Sequence, residues 1–345
     1  MNRLTLVLAL TALALAAAGA GGARTPAAGL RALSIFYYPW YGTPERDGAY
    51  LHWEQDGHLP PVDLASNYYP ARGPYSSADP AVVRAHVAEM AAAGVGEIVS
   101  SWWGWGSLED QRLPLLLRAA RARGLDVAVQ IEPYAGRTAA TVEAGVAHLR
   151  EVGIRRFYVY RPFDGIDPAS WAALNARLTG VEVLAQTGSV AWAVAAGFDG
   201  VYTYDVVRYG PGSLARLCGR ARAAGLACAP SVGPGYEADR ATGDGRARRR
   251  RAGAAYDAMW RAAIAAGADR ITITSYNEWH EGTQIEPART PAPRSPSASP
   301  VERPYQSYEG AYGLAGRAAE RAYLLRTAFW AKAFAASQVL REGGR

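Results

Sequence analysis

The chain has 345 residues, half of them hydrophobic, with a formal net charge of +6 and a pI near 9.3. It is long enough to bury a large core; its two cysteines, with no Cys/His ligand cluster, exclude a structural zinc module. The basic excess is largely local, in Arg246, Arg248, Arg249, Arg250 and Arg251. This reads as a solvated loop entering a helix, with one Arg at most turned inward, and no nucleic-acid partner is implied.

Residues 1–23 read as an export signal: Arg3 supplies the positive end, residues 4–18 the apolar run, and Ala18-Gly19-Ala20 or Gly21-Gly22-Ala23 the small-residue cleavage site. The run is short for a membrane span, which makes an uncleaved anchor the lesser reading. Residues 24–32 form a spacer.

From there the chain alternates. A β-prone run at 33–38 (LSIFYY) stops at Pro39. A long Pro-, Gly- and aromatic-rich loop follows, of the length that compact domains reserve for function. Asp79-Pro80 is an N-cap with Pro behind it, opening a helix to about residue 93. Strands are expected at 97–102, 127–131, 156–160, 181–186, 200–204, 226–232 and 271–275. Helices are expected at 110–123, 138–152, 168–178, 190–196, 213–224, 248–266 and 313–340. Residues 289–304 are a low-complexity surface loop.

Eight strands alternating with eight helices predict a parallel sheet with helical crossovers, closed as a single (β/α)8 TIM barrel with long βα loops on its C-terminal face. Its domain spans 33–340. An open doubly wound sheet is disfavoured, because no Gly-rich fingerprint follows the first strand. The strand ends then gather Tyr38, Trp40, Tyr41, Trp102, Trp103, Glu132, Tyr160, Gln186, Tyr204, Asp205, Tyr236, Asn277, Glu278 and Glu281 on one rim.

That rim is rich in acids and amphipathic rings; the chain carries 10 Trp and 20 Tyr against 6 Phe. Such rings stack on sugar faces while their polar tips bind hydroxyls. No Gly-x-Ser-x-Gly elbow points to a serine nucleophile, and the lone His280 reads as a wall residue rather than a metal ligand. Glu278 and Glu281 stand among aromatics at the end of the last strand, where desolvation raises a carboxyl pKa. A helical turn over 277–282 would put them on one face, with Cβ atoms about 5–6 Å apart, and close carboxyls suit retaining better than inverting glycoside hydrolysis. Glu132 reads as a support for the site. Cys218 and Cys228 are either a disulfide or two buried thiols.

The motifs FYYPWYG (36–42), HW (52–53), YYPARGPYSSAD (68–79), SWWG (101–104), IEPYAGR (131–137), GVYTYD (200–205), PSVGPGY (230–236) and TSYNEWHEGTQIEPA (274–288) resemble those of glycoside hydrolase family 99, the endo-α-1,2-mannosidases and endo-α-1,2-mannanases. The resemblance implies a retaining, endo-acting (β/α)8 enzyme without metal or organic cofactor. Its partner would be a mannose-containing oligosaccharide or polysaccharide, and a monomer is expected. It implies that Glu278 draws the proton from the sugar 2-hydroxyl, so that O2 attacks C1 and gives a 1,2-anhydro sugar. Glu281 would protonate the leaving oxygen and then activate water. Tyr38, Tyr41, Trp102 or Trp103, Glu132, Tyr204, Tyr236 and Asn277 would line the substrate. A His is expected before the IEPY motif, where this chain has Gln130. The competing readings are a non-catalytic carbohydrate-binding barrel and a protein of polysaccharide assembly; the presence of both glutamates disfavours the first, and the export signal and full HEGTQIEPA run the second.

Overall fold

The computed structural model describes residues 32–294 and 304–343. The leader, nearly all of the spacer and part of the 289–304 loop lie outside the described residues. Parallel strands carry the fold: β1 (Leu33–Tyr37), β2 (Glu97–Trp102), β3 (Asp126–Ile131), β4 (Arg156–Val159), β5 (Glu182–Gln186), β6 (Gly200–Tyr202), β7 (Ala227–Ala229), β8 (Ser231–Val232) and β11 (Ile271–Ile273). Their order is β7-β6-β5-β4-β3-β2-β1-β11-β8. The two ends of that sheet, β7 and β8, are pieces of one stretch interrupted at Pro230, so the sheet closes on itself as an eight-stranded barrel. Proline has no N–H to give to a ladder, which explains the break.

Helices cover the outside. Their starts follow local chemistry: Asp79 caps the helix Pro80–Ala92, Ser107 caps Leu108–Arg121, and Thr138 makes a capping box for Ala139–Glu151. Most expected boundaries agree within three residues. Two do not. The expected helix 248–266 begins only at Ala254. Residues Asp244–Arg248 form β10 instead, antiparallel to β9 (Tyr236–Ala238), and positive φ at Arg251, Ala252 and Gly253 keeps the helix from reaching back. The expected helix 313–340 is broken likewise: a short turn of helix at Gly316–Ala319 precedes Ala322–Gly343, after positive φ at Tyr312, Gly313 and Gly316. Cys218 and Cys228 are bridged, with Cα atoms 5.2 Å apart, which resolves the open pairing. No helix among the described residues is long and apolar enough to cross a membrane.

Strand alternation sorts the side chains into two environments. On β1, Ser34 and Phe36 point into the barrel, and Tyr38 beyond the strand end does the same. Ser34 Oγ donates to Glu97 Oε1 at 2.7 Å, and the Phe36 ring meets Tyr158, Tyr202 and Tyr204 with centroids 5.8, 5.7 and 5.1 Å away. The lumen is thus a filled stack of side chains, with Tyr38 and Tyr204 at its upper end. Tyr37 points the other way, its hydroxyl 3.2 Å from His86 Nδ1 on the helix Pro80–Ala92.

Candidate active site

The site is built on the segment that leaves β11. Residues 277–282 do not form the expected helical turn. The Trp279 N–H reaches Asn277 O at 3.1 Å and the Gly282 N–H reaches Trp279 O at 3.3 Å. Gly282, at φ +62°, reverses the chain where a Cβ would meet the Glu237 carbonyl at 2.9 Å. A tight turn, not a helix face, brings Glu278 and Glu281 together.

Several side chains hold this turn. The Glu278 N–H donates to Ser275 Oγ at 2.8 Å. The Tyr41 hydroxyl donates to Asn277 O at 3.0 Å and accepts the Trp279 N–H at 3.1 Å, bracketing Glu278 from beneath. The Asn277 amide accepts from Tyr38 N–H at 2.8 Å and donates to Tyr38 O at 2.9 Å. Tyr41 and Asn277 are therefore fully buried and committed to the scaffold. Arg250, expected in a solvated cluster, is buried too. Its Nη2 donates to Gly282 O at 2.8 Å and Gln284 O at 2.7 Å, and its guanidinium sits 4.6, 4.8 and 4.6 Å from the ring centres of Tyr68, Tyr308 and Tyr323. Three aromatic faces offset part of the cost of desolvating that charge.

Above the scaffold, Tyr38, Tyr204, Glu132, Glu278 and Glu281 share one space at the mouth. Tyr204 donates to Glu281 Oε2 at 3.2 Å, and Tyr38 donates in turn to Tyr204. Both phenols are held protonated by burial and by the surrounding carboxyl charges. Glu278 is 3% exposed, with Oε1 accepting the His280 N–H at 3.1 Å. Burial, and then the Glu281 charge, holds its carboxyl well above the ordinary range. Burial likewise pushes Glu281 up to about 7, against the Tyr204 hydrogen bond that favours the carboxylate. Glu132 accepts from Ser101 Oγ at 2.8 Å and Gln130 Nε2 at 2.7 Å, and burial pushes it up to about 7 as well. Gln130 thus fills the place of the expected His as a donor to Glu132. None of the three carboxyls has an ion-pair partner within 4 Å among the described residues; Arg246, nearer the rim, is paired with Asp244 and Asp205.

The wall facing Glu278 is aromatic and neutral. Trp40 stacks on His52 with centroids 4.5 Å apart, and His280 bonds through Nε2 to the His52 carbonyl. Burial lowers both imidazoles to about 4. His280 is the wall residue its isolation implied.

The remaining expected residues part company. Trp103 stands at the rim, 38% exposed. Trp102 is a correction: it is 1% exposed, its Nε1 donates to Asp110 Oδ1 at 2.8 Å, and its indole fills the space that a Cβ on Gly145 would take, 2.5 Å away. Ser101 points into the lumen toward Glu132, so alternation sends Trp102 out to the helices. Tyr236 lies on β9 at the rim, its hydroxyl donating to Asp244 Oδ2 at 2.7 Å. Sequence reasoning missed the clamp of Arg250 and the support of Ser275. Arg250 carries no local signal, since the carbonyls it holds lie far along the chain; Ser275 does carry one, a hydroxyl close enough in sequence to accept the N–H of Glu278.

A barrel mouth with paired, desolvated carboxyls and an aromatic wall has the makings of a sugar-cleaving site. Comparison with known proteins agrees. The profile described as Glycosyl hydrolase family 99 matches residues 30–336. The human (Homo sapiens) protein named glycoprotein endo-alpha-1,2-mannosidase-like protein is 32% identical, over 77% of this chain and 72% of its own length. The glycoprotein endo-alpha-1,2-mannosidase of Xenopus laevis is 33% identical, over 74% and 70%. The solved GH99 endo-alpha-mannosidase from Bacteroides thetaiotaomicron superimposes with a TM-score of 0.79 at 32% identity, covering 89% of this chain and 98% of that one. The chain belongs to glycosyl hydrolase family 99 and is a glycosidase with the (β/α)8 fold of that family.

Proposed function

We propose that the protein is an exported, retaining, endo-acting α-mannoside hydrolase that cuts α-1,2-substituted mannans or glucosylated high-mannose glycans through a 1,2-anhydro sugar, with residues 33–340 as one catalytic unit acting as a monomer. The observation that carries this reading is that one tight turn sets Glu278 and Glu281 side by side at the mouth, with no ion-pair partner for either among the described residues, where burial raises both carboxyls. Two such carboxyls cannot readily ionise together, so the pair holds one proton between them. One acid and one base are what the first step consumes. Glu278 takes the proton of the substrate 2-hydroxyl, O2 bonds to C1, and the C1–O bond to the departing sugar breaks. Glu281 delivers its proton to that departing oxygen. In the second step Glu281 takes a proton from water, whose oxygen bonds to C1, the C1–O2 bond breaks, and O2 recovers its proton from Glu278.

Burial by itself favours the shared proton on Glu278. The roles above need it on Glu281. The His280 N–H at Glu278 Oε1 and the incoming 2-hydroxyl, both donors, favour an ionised Glu278 once sugar is bound. Tyr204 remains on Glu281, holding its carboxyl toward the leaving oxygen. Export is supported by the leader at 1–23 and is in keeping with the Cys218–Cys228 bridge, since disulfides persist in oxidising compartments.

The test compares Glu278→Gln with Glu281→Gln on a natural α-mannoside and on one whose leaving group departs without protonation. Glu281→Gln recovers first-step turnover on the activated substrate and Glu278→Gln does not. The reverse pattern would exchange the roles. Release of a disaccharide from yeast-type mannan or from a glucose-capped mannose tetrasaccharide, read with its anomeric configuration, decides endo action, retention and substrate.

A further inference from the structure

Beside the mouth, the loops after β4, β5 and β6 enclose a second cleft of about 870 Å³ that the mechanism does not use. It opens on the same C-terminal face as the catalytic carboxyls. Its wall is aromatic. Trp192 is 54% exposed, although large apolar rings usually find cover. Phe163 meets it edge-on, with centroids 5.0 Å apart and planes at 87°. Tyr209 lies so close to Gly188 that a Cβ there would come within 2.8 Å of its ring, so glycine at this position is what lets the ring settle.

The charge in this cleft is one-sided. Arg161 is paired with Asp164 at 2.6 Å. Arg208 stands 5.4 Å from the centre of the Tyr209 ring. Arg220 reaches the Gly188 carbonyl with Nη2 at 3.5 Å. Neither Arg208 nor Arg220 has a carboxylate within ion-pair distance among the described residues. Three guanidinium groups against one carboxylate leave a cationic cleft. Guanidinium groups bind phosphate and carboxylate in bidentate fashion, and an exposed indole offers a flat face to the C–H side of a pyranose. Gln186, Thr187 and Ser189, which also line it, can bond hydroxyls.

We propose that this cleft is a second saccharide site, separate from the catalytic mouth, that takes a hexose bearing a phosphate or a carboxylate, with Trp192 as the stacking platform and Arg208 and Arg220 as the anion clamp. Such a site would hold a charged side branch of a polysaccharide while the mouth works on a neutral linkage. The proposal does not depend on which α-linkage the mouth cleaves.

The test is titration of the full chain at low ionic strength with mannose 6-phosphate, a hexuronate, mannose and inorganic phosphate, followed by calorimetry and by the Trp192 indole N–H signal in NMR. A charged hexose should move the Trp192 signal and bind at least about tenfold more tightly than mannose or inorganic phosphate, a difference in keeping with one added charge-assisted contact. The tighter of the phosphate and carboxylate arms names the natural ligand, and equal binding assigns the site to anionic hexoses as a class. Raised salt should weaken binding. Trp192→Ala and the double variant Arg208→Ala/Arg220→Ala should each remove it. All three residues are exposed, so the variants should fold, and their turnover on a small neutral α-mannoside should equal that of the parent. Binding no tighter than inorganic phosphate alone, an unmoved Trp192 signal, or binding that survives both variants overturns the proposal.

Discussion

Glu281 is half-buried and Glu286, the next glutamate in the chain, fully buried, and they face opposite sides of the barrel wall. Glu281 looks into the mouth with Glu278, and its one side-chain hydrogen bond comes from Tyr204. Glu286 looks toward the helix Pro80–Ala92, with donors on one oxygen and cationic groups near the other. Tyr75 and Trp279 donate to Oε2 at 2.7 and 2.9 Å. His86 Nε2 lies 3.1 Å from Oε1, off the ideal hydrogen-bond direction, and Arg72 stands 3.9 Å away. The same helix carries Glu89, bonded to Arg72, Arg321 and Tyr276. Burial alone therefore does not make a catalytic carboxyl. A buried charge with donors and a cation beside it is a structural tie; a buried carboxyl with little to stabilise its ionised form is ready to exchange a proton. Arg250 shows the cationic version of the tie, beneath the turn that carries Glu281.

The largest effect expected from this contrast is at Glu281. Glu281→Gln should lower turnover on an α-1,2-mannan by about 10²–10⁴-fold, the usual worth of a positioned acid–base group, while calorimetry still detects oligosaccharide binding. Full activity would place the chemistry elsewhere. Glu286→Ala should act on stability first. It strands His86 and the Tyr75 and Trp279 donors beside an empty space and should cost about 3–5 kcal/mol, as broken buried pairs do, read as a fall in the urea midpoint. An unchanged midpoint would mean that the two glutamates are not different in kind.

Tyr204→Phe is a finer probe. It removes the donor that favours ionised Glu281, so the alkaline limb of kcat/KM should move to higher pH, with a loss of about tenfold in rate. A limb that moves to lower pH would contradict the hydrogen bond's assigned sense. The smallest effect concerns stability against pH. The Glu281 carboxyl is raised from 4.5 to about 7 in the folded chain. Between those values the folded state keeps a proton that the unfolded state has released, so its contribution to stability falls as pH rises through the window. Glu281→Gln should flatten the slope of the urea midpoint between about pH 4.5 and 7 relative to the parent.

Much of the fold was legible because its signals are local. Residues such as Asp79-Pro80, Ser107 and Thr138 announce helix starts within a few positions. The run LSIFYY announces a strand buried on both faces. The acid pair in NEWHE could be picked out because two glutamates among aromatics conflict with ordinary packing. The misreadings share a cause. Trp102 and Trp103 are neighbours of the same type, and only the register of β2 says which one faces water. Arg250 and Arg249 are neighbours in one basic run, and only the three tyrosine rings from elsewhere in the chain pick out the buried one. Asn277 and Tyr41 sit at the ends of neighbouring strands, and only the packing of the two ends shows that each holds the other's backbone.

The sequence by itself determined the alternation of strands and helices, the closure it implies, the acid pair and the family, because periodicity, caps and ordered motifs act over short stretches of chain. The tertiary structure decided the rest: that a tight turn pinned by Tyr41, Ser275 and Arg250 brings Glu278 and Glu281 together, that Tyr204, with Tyr38 behind it, reaches Glu281 from another strand, and that Tyr75, Trp279 and His86 gather at Glu286 while Tyr204 stands at Glu281. Those outcomes depend on the direction of each side chain and on the charges brought beside it, and both are set only when distant segments pack against one another.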